Sequence, residues 1–192
     1  MNKAVALLEE KFPDEVVEVV EFRGDTTIEV KPGRIVDICT ALKDGHDTGF
    51  KYLSMIAGMD YSPASPRFGV VYNLYSHKHH DRITLKTRLA DDLAPAIDSV
   101  AKVWSTANWH EREIYDMMGI RFRGHPDLRR ILMWEGYPYF PLRKDFPLAG
   151  KPTQIPEVAF TQAAPLEGGP FVTAPGGKDA IEREPRVRTP ES

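Results

Sequence analysis

Residues 109–133, WHEREIYDMMGIRFRGHPDLRRILM, bring carboxylates, two histidines and a cluster of arginines into one short run. Such side chains suit general acid–base catalysis, in which a positioned carboxyl or imidazole moves a proton at a reacting atom. They equally suit a buried network of ion pairs that holds chain segments together. Projected at about 100° per residue, Ala107, Glu111, Ile114 and Met118 share one helical stripe with Trp104 beside it. Trp109, Arg112, Glu113 and Asp116 fall on the other side, where Arg112 and Asp116 stand at i,i+4 spacing and can pair. Glu111 therefore points into the apolar face. A carboxylate there needs a cation or hydrogen-bond donors, and Arg129 and Arg130 are the nearest supply in sequence. Gly119 fits a helix stop, and Pro126 a first helical position, with Asp127 complementing the dipole of a second helix. No nucleophile, metal set or cofactor motif accompanies these residues, so the network is preferred to catalysis and no catalytic residue is assigned.

The other candidate chemistry is HKHHD. His77, His79 and Asp81 match the first part of the H-x-H-x-D-H element of metallo-β-lactamase-type hydrolases, but Arg82 stands where the next histidine belongs. A polar hairpin turn between two strands is the preferred reading; a freestanding metal-dependent hydrolase is the alternative. HEREI begins like the zinc helix H-E-x-x-H, yet Ile114 occupies the second histidine's place. GGKD resembles the end of a phosphate loop, but Val172 replaces its first glycine and Asp179 its hydroxyl residue. No metal ligand or cofactor-binding residue is assigned.

The elements that must position the charged run are legible from periodicity. NKAVALLEEKF reads as a helix ended by Pro13, and VVEVVEF and TTIEV as a hairpin turning at RGD. RIVDICTALKDG is a second helix with Ile35, Ile38, Cys39 and Leu42 on one face. FKYLSMIAGMD, RFGVVYNLYS and RITLKTRL are strands. The order α-β-β-α-β-β-β implies an α+β fold, a two-layer sandwich with a mixed sheet. LAPAIDSVAKVW and TANWHEREIYDMM are expected to continue as helices. The chain thus divides into an α+β domain over 1–103, a helical segment over 104–137 and an extended tail over 138–192. Ten of the sixteen prolines fall in the tail, and Phe140, Phe146, Ile155, Val158, Phe160, Phe171 and Val172 recur along it as spaced apolar anchors.

With 192 residues, 42% hydrophobic and 28% charged, the chain can bury a real core. A net charge of −3 argues against a nucleic-acid partner. The single cysteine, Cys39, excludes a disulfide within the chain and a self-contained iron–sulfur cluster, which takes four thiolates. No run approaches the roughly 18 apolar residues of a membrane span, so a cytoplasmic location is expected, with membrane association through a partner only.

EREIYDMMGIRFRGHPDLRRIL followed by PLRKDFP closely resembles the signature of the thirty-kilodalton-type family of respiratory complex I, also called the C-type subunit of NADH-quinone oxidoreductase. The matching positions are Glu111, Arg112, Glu113, Asp116, Gly119, His125, Pro126, Arg129 and Arg130, then Pro141, Leu142, Arg143, Lys144, Asp145 and Pro147. The resemblance covers roughly residues 1–147 and agrees with the element order above. It implies a structural subunit of a peripheral arm, docked on the D-type (forty-nine-kilodalton-type) subunit and near the B-type, cluster-carrying one. FMN, iron–sulfur clusters and quinone would then belong to partner subunits, at the cytoplasmic side of a bacterial cell membrane. The assembly would pass electrons from NADH to a quinone and translocate ions. Related subunits of membrane-bound hydrogenase and formate hydrogenlyase complexes supply the nearest alternative.

Overall fold

The computed structural model describes residues 2–147; the tail expected from residue 138 lies, from residue 148 onward, outside the described residues. Helix α1, Lys3–Lys11, starts where the Asn2 side chain accepts from the Ala4 amide at 2.8 Å and buries Ala4, Val5 and Leu8. Strands β1, Val16–Phe22, and β2, Asp25–Val30, are joined by a two-residue turn, with both Arg23 and Gly24 at positive φ. Helix α2, Ile35–Asp44, follows a short 3-10 turn and buries Ile35, Ile38, Cys39 and Leu42, the face expected from their spacing.

Strands β3, Tyr52–Asp60, β4, Phe68–Ser76, and β5, Asp81–Leu89, complete a five-stranded sheet in the order β1-β2-β5-β4-β3. β2 and β5 run parallel and the remaining pairs antiparallel, so the sheet is mixed. Register builds the core row by row: Ile28, Leu85, Tyr72 and Ile56 are partners across four strands, and all four are buried. Each of the three aliphatic side chains in this row contributes about 1.5–3 kcal/mol when removed from water. The buried faces of α1 and α2 join these residues in one core.

Beyond β5 the chain departs from expectation. LAPAIDSVAKVW is not a helix. Ala96–Asp98 forms β6, which pairs in parallel with β7, Arg121–Arg123, and turns carry the chain through residues 101–103. Ile97, Val100, Val103 and Trp104 are buried at helix-like intervals, which explains the misleading period. The strand wins because Ile97 pairs with Phe122 and Ser99 N–H donates to the Arg123 carbonyl.

Helix α3, Ala107–Met118, forms as expected and stops at Gly119, φ 73°, whose amide returns to the Tyr115 carbonyl. It closes tightly on β3 because residue 58 is glycine: a Cβ there would fall 2.5 Å from Met118 Sδ and 2.9 Å from Ile114 Cγ2. A second helix over the HPDLRR stretch does not form. Residues 125–147 contain no helix, because the amides of Ile131, Leu132 and Met133 turn toward a side chain of α3 instead of toward one another.

Candidate functional site

Two acidic residues of α3, five positions apart, are each wholly buried, and they leave the helix on different sides. Glu111 faces the β6 region. Its Oε2 accepts from Ser99 Oγ at 2.5 Å and its Oε1 from the Val100 amide at 2.8 Å. Among the described residues, the basic group within ion-pair range is His125, Nε2 to Oε2 3.9 Å, with both side chains fully shielded. His125 Nδ1 accepts from the Asp127 amide, which leaves Nε2 as the donor to the Asn108 carbonyl at 3.1 Å. Arg129 and Arg130, the expected partners of Glu111, are not beside it. Burial pushes the Glu111 carboxyl up to about 7, and the hydrogen bonds from Ser99 and Val100 only partly oppose the shift.

Helical projection puts Asp116 on the polar side, where it can pair with Arg112; instead it is the centre of a saturated anion site. Oδ1 accepts from Arg130 Nη1 at 2.7 Å, while Oδ2 accepts the successive amides of Ile131, Leu132 and Met133 at 3.0, 2.7 and 2.9 Å. Burial pushes this carboxyl up, yet the four donors together hold it below the usual carboxylate range. Arg130 also donates to the carbonyls of Asp116 and Tyr137 and lies 5.2 Å from the Phe140 ring centroid. Arg112 turns to the Arg129 carbonyl at 3.2 Å and lies over Trp109. The chain after β7 covers the helix face that a projection leaves open.

The PLRKDFP segment completes the frame. Arg143 Nε donates to the Met118 carbonyl at 2.7 Å and the Leu142 amide to the Met117 carbonyl, so both cap the C-terminal end of α3. Asp60, at the end of β3, takes two bonds from Arg67 at 2.9 and 2.7 Å and the Lys144 amide at 2.8 Å; Arg67 reaches Asp145 at 2.8 Å. The Arg67 guanidinium is the main reason the Asp60 carboxyl sits well below its ordinary range. Arg129 pairs with Asp127 at the surface. Glu113, Pro126, Leu142 and Pro147 are exposed, and Pro141 is half-buried.

The matched positions thus converge on α3 and its two flanking segments; among the described residues, Glu113 and Leu142 border one groove and Arg129 and Arg130 another. Ser99, Asn108, Asp60 and Arg67 belong to the same frame, and sequence reasoning misses them. Asp60 and Arg67 bracket a turn rich in proline and serine, a pattern that gives no hint of a partner near residue 144.

Of HKHHD, residues 77–80 form the connection between β4 and β5, as expected, and Asp81 begins β5. His77 packs against the rings of Tyr52 and Tyr75, His79 approaches the His46 carbonyl, and Asp81 accepts from the Arg82 amide. Among the described residues, no group of three or more His, Cys, Asp or Glu is placed to hold a metal ion.

Comparison with known proteins bears directly on this frame. Residues 28–152 match the family model described as respiratory-chain NADH dehydrogenase, 30 Kd subunit. The chain is 50% identical over 150 residues to a C-type subunit (C 2) of the NADH-quinone oxidoreductase of Rhizobium etli (strain CIAT 652), covering 78% of each chain. Against the C-type subunit of Geobacter sulfurreducens the identity is 47%, over 78% of this chain and 91% of the relative. Among solved structures, the trypsin-resistant fragment (1-134) of Nqo5 superposes with a TM-score of 0.56 at 30% identity, covering 67% of this chain and all of the fragment. A chain of the archaeal membrane-bound sulfane sulfur reductase shares the fold, with a TM-score of 0.64 at 24% identity over 75% of this chain and 84% of its own length. A family match over most of the chain, relatives near half identity and a shared mixed-sheet fold together establish that this chain belongs to the 30 Kd subunit family of the respiratory-chain NADH dehydrogenase.

Proposed function

We propose that this chain is a non-catalytic structural subunit in the peripheral arm of a proton-translocating NADH:quinone oxidoreductase, docked on the D-type subunit beside the quinone-reducing module. One observation carries the reading. The two buried carboxylates that look catalytic in sequence, Glu111 and Asp116, spend their hydrogen-bonding capacity inside the chain and, with Arg130 and Arg143, tie α3 to residues 99–100, 130–133 and 143. The names of its relatives supply the oxidoreductase context.

FMN, the iron–sulfur clusters and the quinone are assigned to partner subunits, among them the B-type one. The chain's own chemistry fits that assignment, since one buried thiol, Cys39, cannot supply the four thiolates of a cluster. No helix among the described residues is long and apolar enough to cross a membrane. Attachment at the cytoplasmic face of the membrane through the complex is part of the same proposal.

The test is co-purification. The tagged chain, expressed with the other subunits, should bring down the D-type subunit in stoichiometric amount from detergent extracts. Recovery of the chain alone, under conditions that keep the rest of the complex together, would contradict the proposal.

A further inference from the structure

The two edge strands of the sheet differ in how they are protected. Edges expose unpaired backbone groups and are commonly blunted by charge. β1 carries Glu18 and Glu21 within its seven residues, whereas β3 runs YLSMIAGMD with a single charge, Asp60, at its far end. Among the described residues β3 bonds only to β4, with a register irregularity between Leu53 and Met55, so beyond Met55 alternate backbone donors and acceptors along its other side are left for another strand.

Beside that edge lies an apolar groove of about 280 Å³, bounded by Met55 and Gly58 of β3, Met117 of α3 and Leu142, with His110 and Glu113 at its rim. Met55 and Leu142 remain 42% and 60% exposed. Methionine walls adapt to the side chain they receive. Glu113 is exposed and makes no ion pair or hydrogen bond among the described residues, unlike the other two acidic residues of α3.

We propose that the free edge of β3 and this groove receive one extended segment of another subunit, which adds as a strand, places apolar side chains between Met55 and Leu142, and sets a lysine or arginine against Glu113. The bare edge calls for an extended backbone, the groove for alternate apolar side chains and the lone rim carboxylate for a cation. The proposal rests on the subunit role argued above and locates one docking surface for it.

Hydrogen exchange on the full chain, free and in the purified complex, tests it together with a photo-cross-linker at position 142. Backbone amides over residues 55–58 should exchange at least about tenfold more slowly in the complex, a change equivalent to ~1.4 kcal/mol. The cross-linker should capture a partner peptide that contains a lysine or arginine, and Glu113→Lys should weaken capture while leaving the free chain folded. A complex that co-purifies with unchanged exchange over 55–58 overturns the proposal but leaves the subunit role intact. Cross-linking to a second copy, or within the same chain, also overturns it. Failure to co-purify overturns both.

Discussion

Asp116 Oδ1 and Arg130 Nη1 lie 2.7 Å apart, the carboxylate fully buried and the guanidinium nearly so, and the same carboxylate binds three successive amides through its other oxygen. This one side chain dictates the path of residues 130–133. Asp116→Ala would remove the countercharge of a nearly buried guanidinium, which keeps its bonds to the carbonyls of Asp116 and Tyr137, and would leave three amides without their acceptor, at a cost of about 3–5 kcal/mol. Urea unfolding of the full chain should show this loss. A cost under about 0.5 kcal/mol would mean the site is held by other contacts.

Glu111 should give the opposite dependence on pH. Its folded value, about 7, lies above the ordinary value of 4.5, because burial favours the uncharged form. Its contribution is therefore fully present below about pH 4.5 and is lost as pH rises through about 7. Asp116 has a lowered folded value, so its contribution is present above its ordinary range and lost in acid below it. Taking the stability difference between wild type and Glu111→Gln isolates Glu111. The glutamine should gain on wild type between about pH 5 and 8 by at most about 3 kcal/mol. A difference independent of pH in that window would contradict the assignment.

At position 119 two constraints coincide. The backbone is left-handed, and a Cβ would fall 2.5 Å from Arg143 Nη2 and 2.7 Å from the Phe140 ring. Gly119→Ala should cost about 1–3 kcal/mol, more than the left-handed conformation alone, since the Arg143 cap must also shift. Arg143→Ala in the same background should recover part of that loss in a double-mutant cycle. Strict additivity would show that the two constraints are independent.

The β4–β5 turn should tolerate change. His80 adopts φ 51°, a conformation asparagine accepts more readily than histidine. Replacing His79 and His80 together with Asn should shift stability by no more than about 0.5 kcal/mol, read by thermal unfolding. Stoichiometric zinc on the purified wild-type chain, lost in this variant, would revive the hydrolase alternative.

The sheet and the first two helices are legible in the sequence because their periods are local: the alternation in β5 and the stripe of α2 are complete within one element. β6 is not, since three residues carry no period of their own and Ile97, Val100 and Val103 mimic a helix. Burial of Glu111 follows from its place on the apolar stripe. Its partners do not, because Ser99 and Val100 come into reach only through the parallel pairing of β6 with β7. Asp116 is misplaced for a related reason. A helical projection counts neighbours on the helix and cannot show a later segment folding over the polar side.

The most direct test of the account is turnover per assembled complex in Glu111→Gln. Glutamine keeps the shape and can donate to Ser99 Oγ while still accepting from the Val100 amide, so assembly should proceed normally. If the charged residues of α3 only position chain segments, NADH-to-quinone turnover per complex should stay within roughly twofold of wild type, whereas a proton-transferring carboxyl contributes ~10²–10⁴-fold to a rate. A fully assembled Glu111→Gln complex with turnover reduced a hundredfold or more would contradict the structural reading and restore Glu111 as a catalytic group.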